Sequence, residues 1–315
     1  MIQLVDLTKQ YDLPSGNNGQ ILATDRLNLQ VPDGEIFGLV GPNGAGKTTT
    51  LKMICGLQAP TSGQVRVNCV DVQRQPEEAQ RYMGYLADFF SLYDDLKVWE
   101  YLDYFAHAYK VDREQIPGRV DEIIASMNLE SKRDELISGL SRGMKQRLGI
   151  GRAIIHDPPL VVLDEPAAGL DPKARVELKE LLKELHARGK TVFITSHILA
   201  DLEEICTSLA IMEKGRLLRS GSLQDVMRES ASLRRIRLRL ASQGFALGEW
   251  LAARAGVSEP VATGMAMEFA FTGDDATLAE LVRQLVSAGA PVCGVEEVTE
   301  TLERLYSTIS SGEVM

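Results

Sequence analysis

Apolar and polar side chains alternate over Ile2 to Leu7 and again over Leu27 to Val31, the period of strands with one wet face, and a turn-forming cluster from Pro14 to Gly19 lies between them. Glu35 to Val40 is a short apolar run that reads as a buried strand and passes straight into GPNGAGKTTT, with a helix expected from about Lys47. Gln64 to Val67 and Tyr82 to Leu86 are strand-like. Val98 to Leu129 has mostly helical spacing and carries Trp99, Tyr101, Tyr104, Phe105 and Tyr109. Such a stripe is expected to pack on its own domain rather than to form a ligand box. A helix from Ser141, an unbroken apolar strand Leu160 to Leu163, a charged helix Lys173 to Ala187, a strand Thr191 to Thr195 and a further helix follow. Strands alternating with helices predict an α/β fold with a mainly parallel sheet.

The character of the chain changes near Glu229 to Leu233. Beyond that point Ile236, Leu238 and Leu240 alternate with Arg235, Arg237 and Arg239. Leu278, Leu281, Val282 and Leu285 share one helical face, as do Leu302, Leu305, Tyr306 and Ile309. Residues 1–229 are therefore expected to form one domain and residues 230–315 a small α/β unit.

The arginine strand invites a polyanion-binding reading, but the chain has 44 acidic against 34 basic residues and a formal charge of -10. Nucleic-acid binders need basic faces to replace counterions, so no nucleic-acid partner is expected and the strand reads as half-exposed with a solvated face. The four cysteines are scattered with no CxxC pair, the pattern of ordinary thiols in a reducing compartment. MIQLVDLTKQYD lacks the basic-then-apolar pattern of a signal peptide. No apolar stretch approaches the roughly 18 to 20 residues of a spanning helix. A membrane role would come through a partner.

The chemistry is concentrated in a few segments. Gly41-Pro42-Asn43-Gly44-Ala45-Gly46-Lys47-Thr48 fits GxxxxGK[ST] between an expected strand and an expected helix, and Thr49 extends it. The glycines let backbone N–H groups turn inward while the helix N-terminus faces the phosphates. Lys47 is then expected to reach the β- and γ-phosphates of ATP and Thr48 to ligate Mg²⁺. The second segment is Leu160 to Leu163 followed by Asp164-Glu165-Pro166. An apolar strand ending in two carboxylates sets both at the sheet's C-terminal edge, Asp164 toward Mg²⁺ and Glu165 as general base for the attacking water.

Leu140-Ser141-Arg142-Gly143-Met144-Lys145-Gln146 resembles the signature motif of the ABC ATPases, whose commonest form is LSGGQ. The serine and second glycine are retained; Arg142 and Met144 are replacements that exporter-type members often show. His156-Asp157-Pro158, the carboxylate strand, Ala168-Gly169-Leu170-Asp171-Pro172 (similar to the D-loop) and Thr195-Ser196-His197 (similar to the H-loop) follow in the family's order over roughly the first 220 residues. Tyr11 stands where the family stacks an aromatic ring on adenine. The resemblance implies a P-loop NTPase with an ABC-type core, a mixed sheet and a helical subdomain at about 88–158. It further implies a head-to-tail dimer with a second copy or a homologous subunit. Ser141 and Gly143 would complete the partner's ATP site, Asp171 would line the seam, and His197 would contact the γ-phosphate. Asp88 occupies the place of a metal-touching glutamine and is read as a metal-side sensor, the alternative being a solvated loop carboxylate with the coupling contact carried by Phe89 and Phe90. The segment from Phe89 to Tyr101 lies where the family receives a coupling helix of multi-span membrane permease subunits.

Thr301 to Tyr306 resembles the accessory domain of the drug-, polysaccharide- and lipid-exporter subgroup. The expectation is an ATP-hydrolysing motor of an ABC exporter at the cytoplasmic face of the membrane. The alternatives are an importer ATPase or a non-transport ABC ATPase of translation or DNA repair. Against the latter, the chain has one ATP domain, and the segment between Lys47 and Asp164 lacks sustained heptads.

Overall fold

The computed structural model describes residues 1–12, 20–230, 234–242, 244–298, 302 and 306. The turn cluster at Pro14 to Gly19, and Thr301, Glu303, Arg304, Leu305 and Ile309 near the end of the chain, lie outside the described residues. The chain divides into two compact units, Met1–Leu223 and Gln224–Met315.

The first unit opens with strands β1 (Ile2–Asp12), β2 (Gln20–Val31) and β3 (Ile36–Val40), then helix α1 (Lys47–Ile54). Next come β4 (Ser62–Val67), β5 (Val70–Asp71), α2 (Pro76–Arg81), β6 (Met83–Leu86), α3 (Val98–Ala108) and α4 (Ile116–Ser126). Helix α5 (Arg142–Ile154), β7 (Leu160–Asp164), α6 (Pro172–Ala187), β8 (Thr191–Ser196), α7 (Leu199–Glu203), β9 (Ser208–Glu213) and β10 (Arg216–Ser222) complete it.

Two sheets form. One is antiparallel, in the order β2-β1-β4-β5. The other, β10-β9-β3-β8-β7-β6, is parallel except for β10, so the "mainly parallel" expectation holds for this sheet and not for its neighbour. Every residue of β3, β7 and β8 is buried. Covered on both faces, these strands lose the alternation of half-wet strands and read as apolar runs. Leu160 and Val162 point into a core shared with α1 and the antiparallel sheet, whereas Val161 and Leu163 point into the core under α3 to α6.

The helical stretch predicted from Val98 to Leu129 is two helices. Lys110 takes a left-handed φ of 62° just after α3, and Pro117 suits the first turn of α4. The aromatic stripe packs at home: Tyr101 is fully buried, Arg152 lies 5.3 Å from the Phe105 ring, and Tyr109 stacks on His156 at 4.1 Å.

The second unit begins with α8 (Leu223–Ser230), which straddles the division, and continues β11 (Arg234–Leu240), α9 (Leu247–Ala252), β12 (Val257–Thr263), β13 (Ala266–Phe271), α10 (Asp275–Ser287) and β14 (Val292–Val298). From β11 onward this is the β-α-β-β-α-β order. With its antiparallel sheet β12-β13-β11-β14 it is a ferredoxin-like arrangement. Ile236, Leu238 and Leu240 enter its core with Phe269, Phe271, Leu281 and Leu285. The intervening arginines meet carboxylates: Arg234 pairs with Glu297 and Asp275, Arg235 with Glu259, and Arg237 with Glu268. Three of the four arginines of the strand that looked basic in the sequence are thereby paired.

Candidate functional site

Strand β3 ends at Val40, and Gly41 to Thr48 turn from it into α1. Pro42, Asn43 and Gly44 form the exposed tip, while Ala45 and Lys47 are buried beneath it. Gly46 has φ +102°, and a Cβ there would lie 2.2 Å from the carbonyl oxygen of Ala23, so only glycine fits. Lys47 Nζ donates to the carbonyls of Gly41 (2.7 Å) and Pro42 (3.3 Å). Thr48 and Thr49 follow in the first turn of α1, where a helix leaves N–H groups without internal acceptors.

The parallel sheet brings the remaining groups to this edge. Strands β3, β8, β7 and β6 are successive neighbours, with Val40 beside Ser196, Thr195 beside Asp164, and Leu163 beside Leu86. Parallel registry makes all four chains leave the sheet on the same side. Asp164 is 3% exposed, and its Oδ1 accepts from Thr195 Oγ1 at 2.6 Å and from Thr48 Oγ1 at 3.3 Å. Glu165 follows with φ 48°, a left-handed conformation unusual for a non-glycine residue, held by hydrogen bonds from its N–H to Thr195 O (3.2 Å) and Oγ1 (3.0 Å). Its carboxylate lies between two cationic or donor groups. Lys47 Nζ is 3.3 Å from Oε1, while His197 brings its backbone N–H (3.2 Å) and Nδ1 (2.7 Å) to Oε2. Asp88, just past β6, faces the same cluster. Desolvation pushes its carboxyl above the usual range, the charges of Asp164 and Glu165 push it further, and Arg142 and His197 oppose them.

Thus Lys47, Thr48, Asp164, Glu165 and His197 converge by direct contact. Asp88 faces this cluster and Gly41 to Gly46 form the turn beside it, whereas Tyr11, Ser141, Gly143 and Asp171 are not joined to it by a hydrogen bond among the described residues. Tyr11 is on β1 opposite Ile21, its hydroxyl 2.5 Å from Gln58 Nε2. Ser141 caps α5, accepting from the Met144 N–H at 3.4 Å; Asp171 caps α6, accepting from the Ala174 N–H at 2.8 Å. A Cβ on Gly143 would meet the Ala174 side chain at 2.9 Å, so the starts of α5 and α6 lie side by side. Two residues to which the sequence reading gave no role of their own emerge here. Thr195 orients both carboxylate residues, a role legible only once β8 is known to lie beside β7. Arg142 spans from α5 to the segment after Glu165; the signal was its bulk at a position where the family's commonest motif has glycine.

A family model described as "ABC transporter" matches residues 24–168. Nod factor export ATP-binding protein I of Paraburkholderia xenovorans is 38% identical over 213 residues, 68% of this chain and 70% of that protein. The chain belongs to the ATP-binding subunits of ABC transporters. Another ABC relative, the probable multidrug ABC transporter ATP-binding protein YbhF of Escherichia coli, is 36% identical over 232 residues, 74% of this chain and 39% of that longer protein. Among solved structures, an ATP binding subunit of an ABC transporter matches with TM-score 0.64 and 32% identity over 73% of this chain and 93% of its own. A dimeric post-hydrolysis ATP-binding cassette bound to ADP and Pi matches with TM-score 0.63 and 27% identity, over 71% and 99%.

As an ABC ATPase, this subunit binds and hydrolyses ATP. Among the described residues no helix is long and apolar enough to cross a membrane, and no cluster of three or more His, Cys, Asp or Glu side chains forms a metal cage. A hydroxyl and a carboxylate in contact, Thr48 and Asp164, are instead hard oxygen donors of the kind that hold a partly hydrated Mg²⁺ with substrate phosphates.

Proposed function

We propose that this subunit powers export through separate multi-span membrane subunits at the cytoplasmic face, binding Mg-ATP at the interface of a head-to-tail dimer with a second copy or a homologous ATPase. The observation that carries the reading is the bracketing of Glu165 by Lys47 and His197, with Asp164 and Thr48 alongside. A carboxylate held at its two oxygens is oriented to take a proton from water at the γ-phosphate. Gly41 to Thr49 cradle the phosphates, Lys47 neutralises the β- and γ-oxygens, and His197 contacts the γ-phosphate. Mg²⁺ would be held by Thr48 and Asp164, with Asp88 as a metal-side sensor near them, and would offset charge on the transferred phosphoryl group. Tyr11 stacks on adenine.

Ser141, Gly143 and Asp171 sit at the adjoining starts of α5 and α6, with no hydrogen bond to Lys47 or Glu165 among the described residues, which supports their serving the partner's nucleotide. Phe89 is 91% exposed, and Tyr93 and Tyr104, in edge contact with one another, are half exposed, aromatic surface available to a coupling helix of a membrane subunit. The export direction rests on the names of the relatives, one of Nod factor export and one of probable multidrug transport.

The test is Glu165→Gln. With Mg-ATP it is expected to form a dimer by light scattering, retain uncleaved ATP, and revert to monomer in ADP; a variant that releases phosphate at the native rate refutes the assignment. Co-purification of a multi-span membrane protein, lost on Phe89→Asp, supports the transport half, and substrate accumulation inside inverted vesicles supports export.

A further inference from the structure

A cation at the first position of a helix opposes the positive end of the helix dipole. Arg142 stands at that position of α5, and its guanidinium reaches back to the segment ahead of α6. Its Nη2 donates to the carbonyl of Ala168 at 2.9 Å. The same Ala168 donates its N–H to the carbonyl of Glu165 at 3.0 Å, so two hydrogen bonds in series connect the Arg142 guanidinium to the backbone of the residue read as the general base. The guanidinium also covers Gly169. That residue has φ +67°, and a Cβ on it would fall 2.5 Å from the guanidinium carbon and 2.5–2.6 Å from its terminal nitrogens. Farther along, Arg147 of α5 pairs with Glu177 of α6.

We propose that Arg142 is a positioning residue for hydrolysis: it ties the start of α5 to residues 165–169, so that the segment holding Glu165 and the helix start bearing Ser141 and Gly143 shift together. The inference rests on the dimer reading above, in which those two segments face the second copy. A bidentate-capable, planar guanidinium suits this place because it hydrogen-bonds a carbonyl with its edge and lies flat against a glycine with its face; an ammonium does the first and not the second. Gly169 is then required by Arg142 as well as by its own backbone angle.

The experiment is a double-mutant cycle in the full chain, reading steady-state ATPase and, separately, binding of Mg-AMP-PNP by calorimetry. Arg142→Ala is expected to lower kcat roughly tenfold, the loss of one hydrogen bond from a charged donor. The Kd for AMP-PNP at the Lys47 cradle stays within about twofold, and millimolar guanidinium restores part of the rate. Arg142→Lys recovers less than half of the loss. Gly169→Ala, whose methyl collides with the guanidinium, lowers kcat in the native background and costs several-fold less when Arg142 is already alanine. Effects that multiply independently overturn the proposal, as does an Arg142→Ala chain that loses AMP-PNP affinity in parallel with kcat. The two readings fail separately. Without a dimer, Glu165→Gln carrying native Arg142 stays monomeric in ATP; without the Arg142 tie, that dimer forms while the cycle shows no coupling.

Discussion

Thr195→Val replaces a side chain by one of nearly the same shape and removes only the hydroxyl. Thr195 is fully buried, donates to Asp164 Oδ1 at 2.6 Å and accepts from the Glu165 N–H at 3.0 Å. After the change the Glu165 N–H keeps the Thr195 carbonyl at 3.2 Å, so no donor is orphaned there. The loss falls on Asp164, a carboxylate 3% exposed that retains Thr48 Oγ1 at 3.3 Å. A hydrogen bond to a charged group is worth about 1.5–3 kcal/mol net, so the first unit is expected to lose about 2 kcal/mol of stability in urea unfolding. If the misplaced carboxylates lose the same amount in the transition state, kcat falls roughly 30-fold at saturating Mg-ATP. Thr195→Ser keeps the hydroxyl and is expected to remain within about threefold of native turnover. Stability and kcat both unchanged in the valine variant would refute the reasoning, as would a serine variant as impaired as the valine one, since that would assign the effect to methyl packing.

Asp88→Asn removes one of three neighbouring carboxylates, and the Mg²⁺ concentration for half-maximal ATPase is expected to rise roughly tenfold; an unchanged Mg²⁺ profile makes Asp88 a solvated loop residue. Burial holds His156 down to about 4, against an ordinary value near 6.5, so its proton binds the unfolded chain first. Stability is full above about pH 6.5 and is lost as the pH falls toward 4, on the order of 2 kcal/mol by pH 5. His156→Gln is expected to flatten that part of the melting-temperature profile, and a variant with the native pH dependence counts against this. Lys47→Ala leaves the Gly41 and Pro42 carbonyls without their shared donor and Glu165 without its cation, and is expected to abolish measurable ATPase while far-UV dichroism is unchanged; persisting turnover contradicts the role of Lys47.

The chain's own order of residues determined the elements and the phosphate cradle. Glycines at 41, 44 and 46 followed by Lys47 are a local pattern, with Gly44 and Gly46 at left-handed angles, although Gly41 and Gly46 also make room for the Met212 and Ala23 carbonyls. The apolar run Leu160 to Leu163 ahead of Asp164 and Glu165 was equally plain, since a strand covered on both faces is mostly apolar; Asp164 is its buried last residue. What the sequence could not carry was adjacency. Strand β8 inserts between β3 and β7, and that order makes Thr195 the partner of Asp164 and sets His197 against Glu165; residues some 30 positions apart meet through sheet registry, which has no local signature. The same holds for Arg234 and Arg237 of β11, basic when read along the strand and paired once β13 and β14 bring Glu268 and Glu297 beside them. Arg142 was visible only as a departure from a motif, and the chain's return through Ala168 and Gly169 gave it a contact. Local conformational preference is written residue by residue, whereas the field at each charge is the sum over whichever groups the fold assembles around it.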